Sequence, residues 1–513
     1  MKSKLLLSVA AVAVMSSTAF AGNITYGNSP ELNVSKEWAL SKSAPDVNIS
    51  LGNITYEPTK IPYQTLTNPV INLTFNNATG VKTDDAKMAK VYVCEVNSTG
   101  YPTGEAILKY DSVYQNILIF KALNKDKYIT NGKEYSFFYD INESNCSQTS
   151  AGAAINTAAT LAAAKANSTM TAVTLDKDNL TDVTTHITLA TGDSQQEQDT
   201  ADGTAVVGVK TQFCAGVSTK FDGVIDPTQD FLQFTGGAAS SDCLTGSCTE
   251  TQALSDSVTL TIASDKCKII NNNYQVPNVQ TDITISSDKA LPLAATGALT
   301  ATYKYGGNTE VAVNSDNIKN TDNKVFTYSF YDDNNASIGD NNLSTTFTVK
   351  LNGDDKIPTA KFKSSVDIIT KKLDVEKTFD LLNEADAGSW TYNASSKTIP
   401  YVAANSDTET LVRVTNNSGT KGLVFWTCVD DQGNVAPNIE VKAADTGSTE
   451  IPANGAAAWT MSSVLKAAQE TNPDFATNGK MKCTVYVTNG NAGISVVPIM
   501  TINGARDRVI PTE

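Results

Sequence analysis

The sequence predicts an all-β protein built from several β-sandwich domains of the Ig-like kind in tandem, with minor helix. Short runs rich in β-branched and aromatic residues recur along the chain, and Asn, Asp and Gly bound them. The clearest example is Gly422–Val429, which precedes Asp430–Asn434. Apolar and polar residues alternate within such runs, as in Ile71–Phe75, which is typical of a strand with one buried face. We find helical patterns in two short stretches, 151–167 and Ser462–Glu470.

Residues 1–21 have the pattern of a secretory signal peptide. A basic start, Met1–Lys4, precedes the apolar run Leu5–Met15, and Ala19–Ala21 places small residues at alternate positions before Gly22. The apolar run is roughly half of the ~20 residues that a membrane span needs. We therefore expect an exported protein with no transmembrane segment after signal removal. Its expected location is the cell surface or the extracellular space, with the periplasm as an alternative.

The acidic composition limits which partners the chain can bind. The 513 residues carry a formal net charge of −15, and the charge is −17 from Gly22 onward because residues 1–21 contain Lys2 and Lys4 but no acid. Nucleic acid requires clustered Lys and Arg, so we expect no nucleic-acid binding. An acidic surface favours solubility outside the cell and binding of hard cations. A chain of this length should form several domains of ~100–200 residues each.

Strand and turn patterns divide the chain into four β domains. Residues 22–150 are expected to form a β-sandwich domain, and the Ala-rich stretch 151–167 is expected to follow as a helix or linker, because Ala is the best helix former. The predicted domains that follow are a β domain with four Cys (168–275), a further β-sandwich domain (276–356) and the C-terminal β-sandwich domain (357–513). Strands that follow one another with turn signals favour sandwiches over an alternating α/β fold.

The eight Cys residues are expected to form disulfides. An even number of Cys in an exported chain favours disulfides, because thiols oxidise outside the cytoplasm. Eight Cys allow many pairings, so their clustering along the chain guides the choice. A zinc site is the weaker interpretation, since His186 is the single His of the chain. If pairing stays within domains, the expected pairs are Cys94–Cys146, Cys214–Cys267, Cys243–Cys248 and Cys428–Cys483.

Acidic turns are the best candidates for metal binding. Protein loops bind Ca²⁺ through the oxygens of carboxylates, amides and backbone carbonyls. No stretch of the sequence matches the helix–loop–helix calcium motif. Hairpin turns require Asp and Asn for backbone reasons alone, so turn formation is the alternative for each loop. The predicted Ca²⁺ ligands are Asp332, Asp333, Asn335, Asp340, Asp430 and Asp431.

The sequence has no recognised catalytic motif, so we predict no catalytic and no cofactor-binding residue. It contains no Gly-x-Ser-x-Gly elbow, no phosphate-binding Gly-Lys-Ser/Thr loop and no His-Glu-x-x-His helix. His186 lies among polar neighbours and is expected on the outer face of a strand. Paired carboxylates could still form a glycosidase site, but a chain with 54 acidic residues offers many such pairs by composition alone.

Four motifs near the C-terminus resemble one known family. They are the run Leu411–Ser418, the hairpin Val429–Asn434, Ile451–Gly455 before a helix that Trp459 leads, and the closing Ala505–Val509. Together they are similar to the terminal β-sandwich of bacterial surface-layer-type (S-layer-like) proteins. The resemblance covers roughly the last hundred residues. It implies an exported scaffold. The expected Cys428–Cys483 disulfide in this region is not a feature that the resemblance explains, and the sequence shows no dedicated wall-anchoring repeat.

These observations predict an exported structural cell-surface protein that self-assembles into a surface layer or envelope component with the help of Ca²⁺. Strand edges offer pairing sites, and a strongly acidic chain resists assembly unless cations screen its charge. The expected partners are further copies of the chain and an envelope polysaccharide or glycan. The alternative is an adhesin or appendage subunit that binds a host, polysaccharide or mineral surface. An extracellular hydrolase that uses carboxylates is the third and least favoured hypothesis.

Overall fold

We describe the fold from a computed structural model of the chain. It is all-β, as the sequence predicts, and three groups of paired strands follow one another. We call them the first unit (residues 22–210), the middle unit (214–392) and the C-terminal unit (395–509). The predicted signal peptide lies outside the described residues. Within the described stretches, no helix has the length and apolar character to cross a membrane. Those stretches are 22–27, 32–235, 254–263, 270–276, 279–305, 309–331, 343–371, 373–475, 479–489, 493–502 and 505–509.

The first unit contains strands β1 to β17 and helices α1 to α3. Its strands are β1 (Asn23–Tyr26), β2 (Leu32–Ser35), β3 (Asp46–Ile49), β4 (Ile54–Glu57), β5 (Thr65–Thr67), β6 (Pro69–Asn76), β7 (Ala78–Thr83), β8 (Val91–Val96), β9 (Pro102–Tyr114), β10 (Ile117–Ala122), β11 (Tyr128–Thr130), β12 (Glu134–Tyr139), β13 (Ile141–Asn142), β14 (Asn145–Thr149), β15 (Thr171–Leu175), β16 (Val183–Thr191) and β17 (Glu197–Lys210). Its helices are α1 (Lys36–Ser41), α2 (Asp85–Met88) and α3 (Ala158–Ala164).

Ten strands of the first unit form one sheet in the order β1-β4-β12-β8-β9-β10-β6-β16-β17-β2, in which β17 and β2 run parallel. Leu73 and Phe75 of β6 are fully buried, as their alternation predicts. Val173 belongs to the three-stranded sheet β3-β15-β7 and lies in the same hydrophobic core. The Gly22 N–H donates to the Thr200 carbonyl on β17 at 2.7 Å. The residue before β1, the first strand in the sheet order, therefore contacts β17 near the opposite end of the same sheet.

The middle unit is a sandwich of a five-stranded sheet, β18-β20-β26-β22-β23, and a six-stranded sheet, β19-β28-β27-β21-β25-β24. Leu260 of one sheet and Ile285 and Ile368 of the other are buried in its core. Tyr328 stacks on Phe347 with 5.5 Å between ring centroids. The strands are β18 (Cys214–Thr219), β19 (Val224–Ile225), β20 (Ser255–Ala263), β21 (Val279–Ser287), β22 (Leu299–Tyr305), β23 (Val311–Ala312), β24 (Ile318–Thr321), β25 (Val325–Tyr331), β26 (Leu343–Lys350), β27 (Ala360–Thr370) and β28 (Thr378–Tyr392).

The C-terminal unit is a smaller sandwich with its own core. One sheet has the order β29-β35-β31-β32 with β33 also paired to β31, and the other has the order β34-β30-β36-β37. Trp426 and Trp459 meet in the core with 6.0 Å between ring centroids. The predicted helix is confirmed as α4. The elements are β29 (Ser395–Ala403), β30 (Thr408–Asn416), β31 (Gly422–Asp430), β32 (Val435–Ile439), β33 (Glu450–Ile451), β34 (Ala456–Thr460), α4 (Met461–Thr471), β35 (Lys480–Val487), β36 (Ile494–Ile502) and β37 (Ala505–Val509).

The units differ from the predicted domains. The helix predicted within 151–167 is present as α3, but it does not separate two domains, because β15, β16 and β17 continue the sheets of the first unit. The division between 168–275 and 276–356 is wrong, because strands from both segments pair in the middle unit, as β20 and β26 do. Residues 357–392, predicted in the C-terminal domain, supply β27 and β28 of the middle unit. Pairing between distant segments decides these boundaries, and local turn signals do not reveal it.

Helix α1 joins the first unit to the middle unit. The buried ring of Trp38 meets the ring of Tyr274 edge-on with 5.2 Å between centroids. The Tyr274 hydroxyl also accepts a hydrogen bond from the Asn48 N–H at 2.9 Å. The Val375 N–H donates to the Ser41 carbonyl at 3.0 Å. One hydrophobic core therefore continues from the first unit into the middle unit.

Four aromatic residues, which we call the aromatic joint, connect the middle and C-terminal units: Phe231, Tyr392, Phe425 and Tyr486. Phe425 and Tyr486 stack with 4.8 Å between centroids. Tyr392 meets both rings edge-on at 5.3 Å, and Phe231 meets Phe425 at 4.9 Å. The Tyr392 hydroxyl donates to Asn438 Oδ1 at 2.7 Å. Stacked and edge-on rings of this kind add to the free energy of burial.

A buried carboxylate, Asp256, fixes the chain next to this joint. It is 6% exposed, and Oδ2 accepts hydrogen bonds from Trp390 Nε1 at 2.7 Å and from the N–H groups of Gly223 and Asp222 at 3.0 and 3.1 Å. Oδ1 accepts from the Ser257 N–H at 2.7 Å. Burial raises the pKa of Asp256 to about 6, and the hydrogen bond from Trp390 opposes that rise. At neutral pH the charged carboxylate is thus held by four N–H donors.

Replacing Phe425 with Ala should weaken the aromatic joint. Phe425 is fully buried, and truncating a buried Phe costs about 3–5 kcal/mol of unfolding free energy. We expect faster hydrogen exchange in β28 and β31, measured by mass spectrometry. Val435→Ala is the matched control, because Val435 is 39% exposed and its truncation should change stability by less than about 0.5 kcal/mol. Unchanged exchange in Phe425→Ala would contradict a joint that depends on this ring.

Replacing Trp390 with Phe should destabilise the middle unit by about 1.5–3 kcal/mol, because the buried Asp256 carboxylate loses a donor. Trp426→Phe is the matched control. Trp426 is equally buried, and its Nε1 has no hydrogen-bond partner among the described residues. The two changes remove the same volume, so urea unfolding should show the larger loss for Trp390→Phe. Equal losses would show that volume, and not the hydrogen bond, accounts for the effect.

Candidate assembly surfaces and acidic sites

Sheet edges are the surfaces through which the predicted assembly would operate. The outermost strands include β23 and β24 of the middle unit and β29, β32 and β37 of the C-terminal unit. The free side of an edge strand presents N–H and C=O groups that can pair with another chain. Val311 on β23 is 47% exposed and Tyr401 on β29 is 43% exposed, so two edges also carry exposed apolar side chains. Pro437 lies on β32, where its missing N–H limits pairing.

The ten-stranded sheet has an open groove on one face. The groove has a volume of about 590 Å³, and Val70, Ile117, Ile119 and Tyr114 contribute to its lining. The side chain of Tyr114 is 59% exposed. Apolar and polar side chains mix in this lining, as they do in protein–protein interfaces. The groove is therefore a second type of candidate contact surface.

Two of the predicted disulfides are confirmed, Cys94–Cys146 and Cys428–Cys483. All four residues are fully buried. Cys428 on β31 and Cys483 on β35 are direct cross-strand partners, with 4.2 Å between their Cα atoms. The Cys94–Cys146 bond instead links β8 of the large sheet to β14, which lies outside that sheet. Each bond therefore closes a loop within one unit.

The remaining Cys predictions stay open. Cys214 at the start of β18 is disulfide-bonded. Its predicted partner Cys267 and the predicted pair Cys243–Cys248 lie outside the described residues.

Asp430, one of the predicted Ca²⁺ ligands, organises the hairpin between β31 and β32. Its Oδ1 accepts hydrogen bonds from the N–H groups of Gln432 and Asn434 at 2.9 and 2.8 Å. Its Oδ2 accepts from Asn434 Nδ2 at 2.9 Å. Asp430 is 6% exposed, whereas Asp431 is exposed. These contacts give Asp430 the turn-forming role that sequence analysis weighed against Ca²⁺ binding, and Ca²⁺ binding by this turn stays a prediction.

The other predicted ligands, Asp332, Asp333, Asn335 and Asp340, lie outside the described residues. In the stretches that the structure describes, no three His, Cys, Asp or Glu side chains converge as a metal-binding group. His186 lies on the outer face of β16 with 32% of its side chain exposed, and its Nδ1 lies 2.7 Å from Asp202 Oδ1.

A line of three acids that no sequence pattern predicts lies on the outer face of the middle unit, and we call it the aspartate row: Asp282, Asp367 and Asp380. Asp367 on β27 lies directly opposite Asp282 on β21 and Asp380 on β28. Burial and the carboxylates of Asp380 and Asp282 raise the pKa of Asp367. Like charges directly opposite in a sheet are destabilising. Only the strand register brings the three together, so no local sequence signal could have revealed the row.

Comparison with known families gives one extended match. The sequence model of the family described as S-layer protein Slr4 matches residues 147–508, which is more than two thirds of the chain. The match covers the middle unit and nearly all of the C-terminal unit, and it extends far upstream of the region in which sequence analysis found its resemblance. No curated protein matches the sequence.

Several solved structures are similar to the chain at low identity. The full-length major pilin SpaD from Corynebacterium diphtheriae has 10% identity, covers 88% of this chain and 81% of its own, and has a TM-score of 0.24. The major pilin subunit BcpA of Bacillus cereus has 11% identity, with coverages of 73% and 80% and a TM-score of 0.22. The C-terminal domain of the antigen I/II-family protein AspA of Streptococcus pyogenes has 8% identity, with coverages of 71% and 99% and a TM-score of 0.23.

Replacing Asp367 with Asn should stabilise the middle unit at pH 7 by about 0.2–1 kcal/mol, because it removes like-charge repulsion between directly opposite residues. The pKa of Asp367 is raised in the folded chain, so the folded state binds this proton more tightly than the unfolded state. Wild-type stability therefore decreases as the pH rises through the raised pKa, and the advantage of Asp367→Asn should shrink as the pH falls. Urea unfolding across a pH series measures both effects.

The control for this prediction is Asp407→Asn. Asp407 is exposed in a loop of the C-terminal unit, so its neutralisation should change stability little. A loss of stability in Asp367→Asn at pH 7 would contradict the repulsion argument.

Proposed function

The chain belongs to the S-layer protein Slr4 family, and we propose that it self-assembles into a regular layer through the edges and faces of its units, with Ca²⁺ assisting the assembly. As a member of this family it is a structural protein of the cell surface. Two observations together carry the proposal. The chain belongs to a family of S-layer proteins, and its outermost strands are paired on one side only. Such edges can pair with another copy of the chain.

The contacts between units support the proposal, because a repeating layer requires subunits that keep one shape. Trp38 of α1 and Phe425 of the aromatic joint are both buried between units. The Tyr392–Asn438 hydrogen bond fixes the orientation at the second junction. Side chains packed between neighbouring units resist bending of the subunit, so contacts made at one end are held in register with contacts made at the other.

Charge is the main obstacle to this assembly and the reason to include a cation. Copies of a chain with a net charge of −17 from Gly22 onward repel one another. At physiological ionic strength the repulsion between exposed charges is screened over about 8 Å, which does not remove it at contact distance. The aspartate row adds local negative charge on an outer face. Ca²⁺ binds carboxylate oxygens and can bridge them between copies.

Electron microscopy of the cell surface and of the purified chain tests the proposal. We expect a regular two-dimensional array on cells, and reassembly of the purified chain into sheets in millimolar Ca²⁺. An excess of a Ca²⁺ chelator should disperse the sheets, because the carboxylates then lose their bridging cation. The matched control is NaCl at the same ionic strength, which screens charge but does not bridge carboxylates.

The outcomes separate the parts of the proposal. Sheets that persist in excess chelator would show that the Ca²⁺ part is wrong while the layer part stands. If sheets form equally well in NaCl, then screening of the negative charge, and not bridging of carboxylates by Ca²⁺, accounts for the assembly. Sparse fibres or isolated molecules on cells would reject the layer and favour an adhesin or appendage subunit.

A further inference from the structure

Gly22 lies where the two ends of the ten-stranded sheet meet. Gly22 is buried, and its N–H donates to the Thr200 carbonyl of β17 at 2.7 Å. The next residue, Asn23, begins β1 and pairs with Glu57 of β4. The residue that follows the predicted signal peptide therefore lies inside the first unit, at the closure of its large sheet.

A buried carboxylate faces the same position. Asp199 on β17 is 4% exposed. Its Oδ2 accepts hydrogen bonds from the Tyr56 hydroxyl and the Thr59 N–H, both at 3.0 Å. Its Oδ1 is buried and has no hydrogen-bond partner among the described residues. None of the ion pairs between described residues includes Asp199. A buried carboxylate without a cation is costly, so this position calls for a positive partner.

The backbone of Gly22 lies against this carboxylate. A Cβ atom at position 22 would lie 2.9 Å from Asp199 Oδ2 and 2.8 Å from both Tyr56 Cε2 and the Glu57 carbonyl oxygen. Because the Gly22 nitrogen is two bonds from that Cβ position, it lies within roughly 5.5 Å of Oδ2. An opposite charge at about 4–6 Å favours an ionised carboxylate. The site therefore excludes a side chain at residue 22 and places its nitrogen beside Asp199.

We propose that Asp199 binds the α-ammonium group that signal-peptide removal creates on Gly22. Hydrolysis of the Ala21–Gly22 bond by the signal peptidase of the exporting cell consumes one water molecule. It leaves a carboxylate on Ala21 and an amine on Gly22, which takes up a proton. The peptide nitrogen has one N–H, which donates to Thr200, whereas the ammonium group has three. The added donors and the positive charge lie beside a buried carboxylate whose Oδ1 has no hydrogen-bond partner among the described residues.

This ion pair makes maturation a step in the folding of the first unit. Before cleavage, the sheet closes around a buried carboxylate that forms no ion pair with another described residue. After cleavage, the new ammonium group compensates that charge at the point of closure, and removal of either partner leaves the other uncompensated. The inference goes beyond layer assembly and depends on cleavage after Ala21, not on the function proposed above.

A double-variant cycle on the full chain tests the ion pair. Chains that begin at Gly22 or at Thr18 are each prepared with Asp199 and with Asp199→Asn. The four retained residues displace the ammonium group by up to about 13 Å. Hydrogen exchange in β1 and β17 should rise about tenfold on Asp199→Asn in the chain that begins at Gly22, and less than about twofold in the longer chain. Equal effects in both chains overturn the proposal, because the bonds from Tyr56 and Thr59 do not depend on the N-terminus.

Tyr56→Phe is the matched control for this cycle. It removes the hydroxyl that donates to Asp199 and leaves the α-amine unchanged. Its effect on exchange should therefore be the same in both chains. A Tyr56→Phe effect that depends on the N-terminus as strongly as that of Asp199→Asn would overturn the proposal, since the coupling would then not be specific to the carboxylate.

The reactivity of the α-amine keeps the proposal testable if Asp199→Asn does not fold. The rate of acylation by an N-hydroxysuccinimide ester is measured by mass spectrometry of the N-terminal peptide. The folded chain that begins at Gly22 should react about tenfold more slowly than the folded chain that begins at Thr18, because a paired ammonium is a poor nucleophile. Equal rates in the two folded chains overturn the proposal.

Discussion

The hydrogen bond from the Trp390 indole to the buried Asp256 carboxylate holds the part of the middle unit from which the aromatic joint extends. Trp390 lies near the end of β28, which pairs with β27 and, in parallel, with β19. Tyr392, two residues further along the chain, belongs to the aromatic joint. The placement of the C-terminal unit thus depends on a polar contact inside an apolar core, where an unpartnered carboxylate is strongly unfavourable.

Carboxylates have opposite roles inside and outside this acidic protein. Buried acids are bound by specific donors: Asp256 accepts four N–H groups, and Glu37 accepts hydrogen bonds from Ser35 Oγ and the Gln212 N–H, each at 2.9 Å. The acids of the aspartate row lie on the outer face, directly opposite one another on neighbouring strands, and their like charges repel. The interior charges therefore determine how the units fit together, whereas the exterior charges determine whether copies of the protein can approach.

Sequence patterns located most single elements but few of their relationships. The alternation around Leu73 identified a buried strand face, and the helical pattern near the C-terminus identified α4. The two disulfides seen between described residues also agree with pairing of neighbouring Cys clusters. The aspartate row and the Asp199 site escaped prediction, because their members are distant in sequence and meet only through strand register and sheet closure. Asp199 in particular is surrounded in sequence by polar residues that suggest an exposed loop.

The sequence by itself determined the all-β class, the acidic surface, the export signal as an expectation and a resemblance to surface-layer proteins. Each of these properties depends on composition or on the spacing of neighbouring residues, which a single sequence displays directly. The tertiary structure alone decided where the units begin and end, which strands remain at the edges, and which carboxylates are buried. Those properties arise from pairing between segments far apart in the chain, and a strand's own residues do not specify its partner.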